Sequence, residues 1–313
     1  MTVVFAPYIE QVGRVEPYIS LAELKFSATA SDIDFTNLVE NGSQVAQDRA
    51  LYELIVRASA KVDNYIYGRL GTLNATSNTQ SGRYLLDRAG RFKIHPSFTP
   101  VIAITAFSWG TQPGSLASLA LTSANAWPEE ESIIILPWNT PGATTVYTGS
   151  DALGWLTFPN TNNEYYVQYT IINGYPNTFT TSSSAAGVTT LAVTDPTGIY
   201  PGTYLTVWDG VNDEYVQVAS SYVPGTSTLT FATALAYAHG VGVNVSAMHP
   251  SVKQATIHFV VGMVKERGQG GGFEIAPTGE VSPATGGKTK GFNDDELAAY
   301  DLLDAFKSIS GRM

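Results

Sequence analysis

The chain has 313 residues, a formal net charge of −10 and no cysteine, which allows a sizeable core in one or more domains and excludes a disulfide framework, a thiolate nucleophile and any Cys-based metal site. No apolar run is long enough to span a bilayer, and the opening Met1-Thr2-Val3-Val4-Phe5-Ala6-Pro7 lacks the basic and long apolar regions of a signal peptide, so the chain reads as soluble, unprocessed and without a membrane partner.

Helical signals cluster at the two ends. Ser20-Leu21-Ala22-Glu23 has the capping-box pattern and predicts a short helix to about Phe26. From Val45 the positions Val45, Tyr52, Ile55, Ser59, Val62 and Ile66 follow helical spacing, which predicts a long amphipathic helix ending near Gly68. The period then changes to two. Tyr84 to Leu86, Lys93 to His95, Val101 to Trp109, Ser132 to Leu136 and Tyr165 to Ile172 read as strands of an antiparallel sheet, with large loops from Gly110 to Asn163. A Thr/Ser-rich linker, Thr178 to Ser184, leads to Thr189–Val193, Tyr204–Trp208, Tyr215–Ser221, Thr228–Phe231 and Val241–Ser246. Short strands with Asp209-Gly210 and Pro224-Gly225 turns predict a small all-β barrel or sandwich. Pro250 opens another helix, with Val252, Thr256, Phe259, Val260 and Met263 on one face, which Gly268 stops. Gln269 to Gly291 is rich in Gly, Pro and Thr and reads as a flexible arm. Asn293 and Glu296 cap a terminal helix on which Leu297, Tyr300, Leu303, Phe306 and Ile309 recur at every third position. Such a stripe at the end of an arm calls for something to bury it, so Leu297, Tyr300, Leu303 and Phe306 are expected to form a partner-docking face.

The charge is unevenly placed. Between Ile94 and Val252 there is no Lys or Arg, while nine acids occur: Glu129, Glu130, Glu131, Asp151, Glu164, Asp195, Asp209, Asp213 and Glu214. A nucleic-acid grip through this stretch is excluded, because phosphate binding is built from Lys and Arg. It reads as a solvated acidic face, or as a surface that does not adhere to DNA passing nearby. Catalytic signatures are absent: there is no Gly-x-Ser-x-Gly elbow, His-Glu-x-x-His pair, Walker loop or dinucleotide fingerprint, and Gly270-Gly271-Gly272 lacks the Lys-Ser/Thr of a phosphate cradle. His95, His239, His249 and His258 read as scattered histidines, not metal ligands. Neither a catalytic, a cofactor-binding nor a metal residue is expected, and the chain reads as a non-catalytic component of a larger assembly.

The order of parts carries a resemblance. A short capped helix is followed by a long helix bearing Ala58-Ser59-Ala60-Lys61-Val62-Asp63-Asn64-Tyr65-Ile66, then by strands near Phe92-Lys93-Ile94-His95-Pro96 and Thr99-Pro100-Val101-Ile102-Ala103-Ile104. This resembles the head-to-tail adaptor, or head-completion, proteins of tailed bacteriophages. In that family a strand ending in a Tyr-x-x-Gly-Tyr-like turn leads straight into a Pro-opened helix. Here the matching pieces, Tyr169-Thr170-Ile171-Ile172-Asn173-Gly174-Tyr175 and Pro250-Ser251-Val252-Lys253-Gln254-Ala255, are separated by the β-rich segment. The expected fold is α+β, an antiparallel sheet with a helical core: an adaptor core over 1–176, an inserted β module over 177–247, a core helix over 248–268 and a C-terminal arm with its docking helix over 269–313, with the β module and the loops from Gly110 to Asn163 departing from the family pattern. The resemblance implies a homo-oligomeric, dodecameric ring under the portal protein at the capsid vertex, joined to a stopper, tail-terminator or tail-tube protein. DNA would pass through the lumen without sequence-specific binding, and the protein would end in the virion at the head–tail junction after synthesis in the host cytoplasm.

Two other classes compete. The β module and its aromatics suit a carbohydrate-binding or adhesive baseplate or fibre protein. A glycoside hydrolase would draw on Glu129-Glu130-Glu131, with Trp127, Trp138 and Trp155 as sugar platforms.

Overall fold

The computed structural model describes residues 16–31, 33, 35, 38–39, 42–67, 72–87, 90–129, 132–137, 164–210, 212–265 and 294–306. The chain is α+β, and every pair of named strands is antiparallel. The apolar residues gather into three separate buried clusters, one among the helices and two among the strands.

Helix α1 (Leu21–Phe26) begins where the capping box predicts it: Ser20 Oγ accepts from Glu23 N–H at 3.1 Å, and the Glu23 carboxylate accepts from Ser20 N–H at 2.6 Å. Helix α2 (Gln44–Tyr67) buries Gln47, Leu51, Leu54, Ile55, Ala58, Ser59, Val62, Asp63 and Ile66. Val45 and Tyr52 lie on its exposed side, because the buried stripe runs through the Leu and Ala positions one residue away. The polar members of that stripe are satisfied: Ser59 Oγ accepts from Tyr18 N–H at 3.1 Å and donates to Ile55 O at 2.9 Å. Helix α3 (Pro250–Val264) is buried around most of its circumference, from Val252 and Ala255 through Phe259 and Val260 to Val264. An all-round apolar helix sits at the centre of a helix cluster, and here α1, α2 and α4 (Asp294–Leu303) pack with it.

Strands β1 (Thr76–Leu85), β2 (Phe92–Ile94), β3 (Val101–Gln112), β4 (Ser115–Ser118), β5 (Ala126–Glu129), β6 (Ser132–Ile135) and β7 (Glu164–Asn173) form two sheets, ordered β1-β7-β3-β4 and β2-β6-β5. They close over one core of Phe92, Phe107, Tyr165, Val167, Tyr169 and Ile171. Strand β1 starts well before Tyr84; its hydroxyl-rich, half-exposed alternation hides the strand from an apolar pattern. Strands β4 and β5 stand within the segment expected to be loop. Residues 138–163, 266–293 and 307–313 lie outside the described residues, and with them the predicted arm, the Asn293 cap and Ile309.

Strands β8 (Asn177–Phe179), β9 (Thr190–Ala192), β10 (Tyr204–Trp208), β11 (Asp213–Gln217), β12 (Thr228–Thr230) and β13 (Asn244–Ser246) form a sheet ordered β11-β10-β13-β8 and a β12-β9 pair. Bridges at Thr180↔Val193 and Val218↔Phe231 stitch the two together around Leu191, Leu205, Val207, Val216, Leu229, Phe231 and Val245. The start of the expected linker is β8, paired with β13. Its Thr and Asn residues make buried hydrogen bonds, with Thr178 Oγ1 accepting from Asp195 N–H at 2.9 Å, so a polar composition marks a strand here rather than a tether. The chain leaves and re-enters this region at one place, since Ala247 N–H donates to Pro176 O at 2.8 Å.

Candidate functional site

Helix α4 and the turn Asp304–Phe306 carry the four residues expected to dock a partner. Leu303 is fully buried together with Ala299, in the same cluster as α2 and α3. The Tyr300 ring lies 4.6 Å from that of Tyr65 and 5.2 Å from that of Phe259. Phe306 meets the His249 ring edge-on at 5.0 Å. Leu297 instead is 48% exposed. A repeat of three falls short of the 3.6-residue turn, so the predicted stripe winds around the helix by about 60° per step. The face that packs is therefore set by Glu296, Ala299 and Leu303, and Leu297 turns away.

The seat of α4 is also chosen by charge. Its first turn carries Asp294, Asp295 and Glu296. Asp295 lies 2.6 Å from Lys265 Nζ and 3.4 Å from His258 Nδ1, and the buried Glu296 carboxylate accepts directly from the Lys61 ammonium. That ammonium stands 4.8 Å above the centre of the Phe259 ring, so one cation serves an acid and an aromatic face together. At the far end, Tyr65 O–H donates to Asp304 at 2.5 Å.

A second polar assembly lies where β8 and β13 meet the helices. Asn74 Nδ2 donates to Glu16 O, and Asn74 Oδ1 accepts from Asn177 Nδ2 at 3.0 Å. Asn177 Oδ1 accepts from Asn244 Nδ2 at 2.9 Å; Asn244 Oδ1 accepts from Lys253 Nζ at 2.8 Å; and Lys253 also donates to Glu23 at 2.6 Å. Asn74, Asn177 and Asn244 are all buried. Each amide uses its donor and its acceptor, so the ladder holds a defined relation between the β8–β13 strands and helices α1 and α3. Pairwise spacing in the sequence gives no hint of it, since the partners come from four distant segments.

The acids of the Lys- and Arg-free stretch mostly work locally. Six of the nine lie among the described residues. Glu129 pairs with Lys93 at 3.7 Å and Glu164 with Arg83 at 3.3 Å, while Asp195 accepts from Thr197 N–H at 2.9 Å. Asp209 and Glu214 enclose His239: Nδ1 is 3.2 Å from Asp209 Oδ2 and Nε2 is 2.5 Å from Glu214 Oε1. Sequence spacing missed this group, whose members stand 25 and 30 residues apart. The His239 side chain has no exposed surface and both ring nitrogens face carboxylates, so it has no free nitrogen for a substrate proton or a metal ion. Glu214 also accepts from Ala236 N–H at 2.8 Å, which makes the group a clasp for the 235–239 turn.

Close by, Tyr204 and Tyr215 stack in parallel with centroids 5.0 Å apart and remain 49% and 69% exposed. Further along the same face Trp208 meets Phe26 of α1 edge-on at 6.4 Å. A side chain in place of Gly210, whose φ is +98°, would reach within 2.7 Å of the Phe26 ring, so glycine permits this contact between the turn and α1. Of the tryptophans considered as sugar platforms, Trp127 is half-buried in β5, while Trp138 and Trp155 lie outside the described residues.

The most perturbed carboxyl belongs to the helix cluster. Asp63 accepts from Tyr18 O–H and, at 2.9 Å, from Leu73 N–H, and burial pushes its carboxyl up from 3.8 to about 6. These bonds join α2 to the segments entering α1 and β1. Among the described residues no helix is long and apolar enough to cross a membrane, and no group of His, Cys, Asp and Glu is arranged to hold a metal ion. No protein-family model, curated protein or solved structure matches the chain.

Proposed function

We propose that the chain is a structural subunit of a homo-oligomeric ring at the head–tail junction of a tailed bacteriophage, joining the portal to the tail or stopper around a DNA channel. One observation carries this reading. Pro176 and Ala247 are hydrogen-bonded neighbours, with Asn177 paired to Ser246 beside them. Taking out 177–247 would join the end of β7, through Gly174 and Tyr175, almost directly to the Pro-opened α3. That would restore the strand–turn–helix succession of the adaptor resemblance, and the separate apolar cluster of these strands supports reading 177–247 as an inserted small barrel or sandwich. Gly174 is needed at this turn: its φ is +100°, and a Cβ would lie 2.5 Å from Asn74 O.

The character of the large sheet supports the same reading. Its outer face carries Thr79 and Thr170 with hydroxyls 2.9 Å apart, and Ser108 and Ser118 at 3.2 Å. Hydroxyls without a row of cations suit a wall that DNA slides along, because Lys and Arg would hold the phosphates. Native mass spectrometry and negative-stain imaging of the full chain, alone and with the portal protein from the same genome, test the proposal. A closed ring with a central channel, free or on the portal, is expected; a chain that stays monomeric and leaves the portal unbound refutes it.

The exposed Tyr204–Tyr215 stack favours one second reading, a glycan-binding role for the β module, with the stacked aromatic pair as platform. A glycan array read with the natural chain and with Tyr215→Ala decides it: saturable binding lost in the variant supports the role, and no binding by either removes it.

A further inference from the structure

The end of the amide ladder brings together an amine, an acyl group and an acid. Lys253 Nζ, in the first turn of α3, lies 2.8 Å from Asn244 Oδ1 in β13 and 2.6 Å from Glu23 Oε1 in α1. The carbonyl carbon stands one bond, about 1.2 Å, beyond Oδ1, which puts the amine within about 4 Å of it, against about 3–3.5 Å for a pair poised to react. Asn244 has no exposed surface, and the Lys253 and Glu23 side chains are 16% and 10% exposed. Two of the three groups are held from behind as well. Asn244 Nδ2 donates to Asn177 Oδ1 at 2.9 Å and to Thr178 O at 3.5 Å, and the second oxygen of Glu23 accepts from Ser20 N–H in the capping box.

From this arrangement we propose that Lys253 and Asn244 condense into an intramolecular amide bond, with Glu23 carrying the proton and ammonia as the leaving group. The Glu23 carboxylate takes a proton from the Lys253 ammonium, and the freed lone pair of Nζ forms a bond to Asn244 Cγ while the carbonyl electrons move onto Oδ1. As the carbonyl re-forms, the Cγ–Nδ2 bond breaks and Glu23 returns its proton to the departing nitrogen. The surplus proton on Nζ leaves with the ammonia as ammonium. One N–C bond is made and one is broken, nothing is oxidised or reduced, and no co-reactant is required. Burial keeps water from competing with the amine at Cγ, and escape of ammonia to solvent makes the step one-way.

The hydrogen-bonded ladder is the state from which this reaction starts. The bond joins β13 to α3 across nine positions of sequence, where the β8–β13 strands return to the helices. It makes covalent an attachment that hydrogen bonds otherwise hold, and it is independent of the ring reading. The competing account of the same distances is a plain buried ion pair between Lys253 and Glu23.

Mass spectrometry of the full chain, denatured and digested with trypsin, separates the two. An acylated Lys253 is no longer a trypsin site, and no other Lys or Arg stands between Lys93 and Lys265. The expected product is therefore residues 94–265 as one peptide, lighter than its sequence by one ammonia, with fragmentation placing the loss on a cross-link between Asn244 and Lys253. Peptides 94–253 and 254–265 at their full sequence masses overturn the proposal. Lys253→Arg keeps the cation and removes the nucleophile, and Glu23→Gln keeps a capping-box side chain while removing the proton carrier. Both variants are expected at full mass with circular dichroism like that of the natural chain. A Glu23→Gln chain that still lacks the ammonia overturns the part given to Glu23. The digest of the natural chain decides the bond itself whether or not either variant folds.

Discussion

Replacing Asp63 by asparagine removes a titration that the fold has displaced. Burial holds the carboxyl at about 6 against 3.8 for an ordinary aspartate, a difference worth about 3 kcal/mol at 1.36 kcal/mol per unit. The sign follows from proton counting. Between about pH 4 and 6 the folded chain keeps a proton that the unfolded chain has released, so the stabilisation from protonated Asp63 is full below pH 4 and is lost as pH rises through 6. At neutral pH the buried carboxylate is thus a cost, relieved only in part by Tyr18 O–H and Leu73 N–H. The amide introduced by Asp63→Asn keeps an oxygen for those two donors and does not titrate. Urea unfolding of both proteins at pH 4, 5, 6 and 7 gives a difference in which all other titrating groups largely cancel. That difference is expected to shift in favour of Asp63→Asn by about 2.4 kcal/mol from pH 4 to 7. A difference that stays flat with pH refutes the burial argument.

Three further outcomes are expected. Asn244→Leu strands the Asn177 oxygen and removes one acceptor from the Lys253 ammonium, which keeps Glu23, so it should lower unfolding stability by about 1–3 kcal/mol, and a double-mutant cycle with Asn177→Leu should show strong coupling. Leu303→Ala should cost about 2–5 kcal/mol in the seating of α4, read as faster amide exchange over 294–303, whereas Leu297→Ala, on the exposed side, should change exchange little. Deleting 178–247 with a short Gly-Ser bridge should leave a chain that still melts cooperatively, because the ends of the excised segment already touch; loss of cooperative melting would show that the strands there belong to a common core.

The helices were readable because their signals are local. Ser20 and Glu23 sit three apart and cap α1, and Pro250 opens α3 where its fixed φ and missing N–H do no harm. Strands drawn in Thr, Ser and Asn were not readable in the same way. Thr76 to Ser81 and Asn177 to Thr178 are built from residue types that also make turns and linkers, and what makes them strands is a partner far along the chain, Asn173 for Thr76 and Ser246 for Asn177. Nor could the terminal stripe show its own destination. Its spacing established an apolar helix, but the residues that choose its seat, Asp295 and Glu296, announce themselves only once Lys61, His258 and Lys265 are brought beside them.

The two polar assemblies divide the work of holding this chain together in different ways. The Asn74–Asn177–Asn244–Lys253 ladder is buried and made of groups whose hydrogen bonds must all be kept, so breaking it strands several at once and the β strands stay fixed against the helices. The α4 seat is partly open to solvent at its Lys265–Asp295 rim, where an ion pair is exchanged for water at little net cost, while the buried Glu296 carboxylate is held by Lys61 and loses that partner when the helix lifts away. Release of α4 is then opposed by that pair and by the burial of Ala299, Leu303 and the Tyr300 ring, a few side chains at about 1.5–3 kcal/mol for each large one.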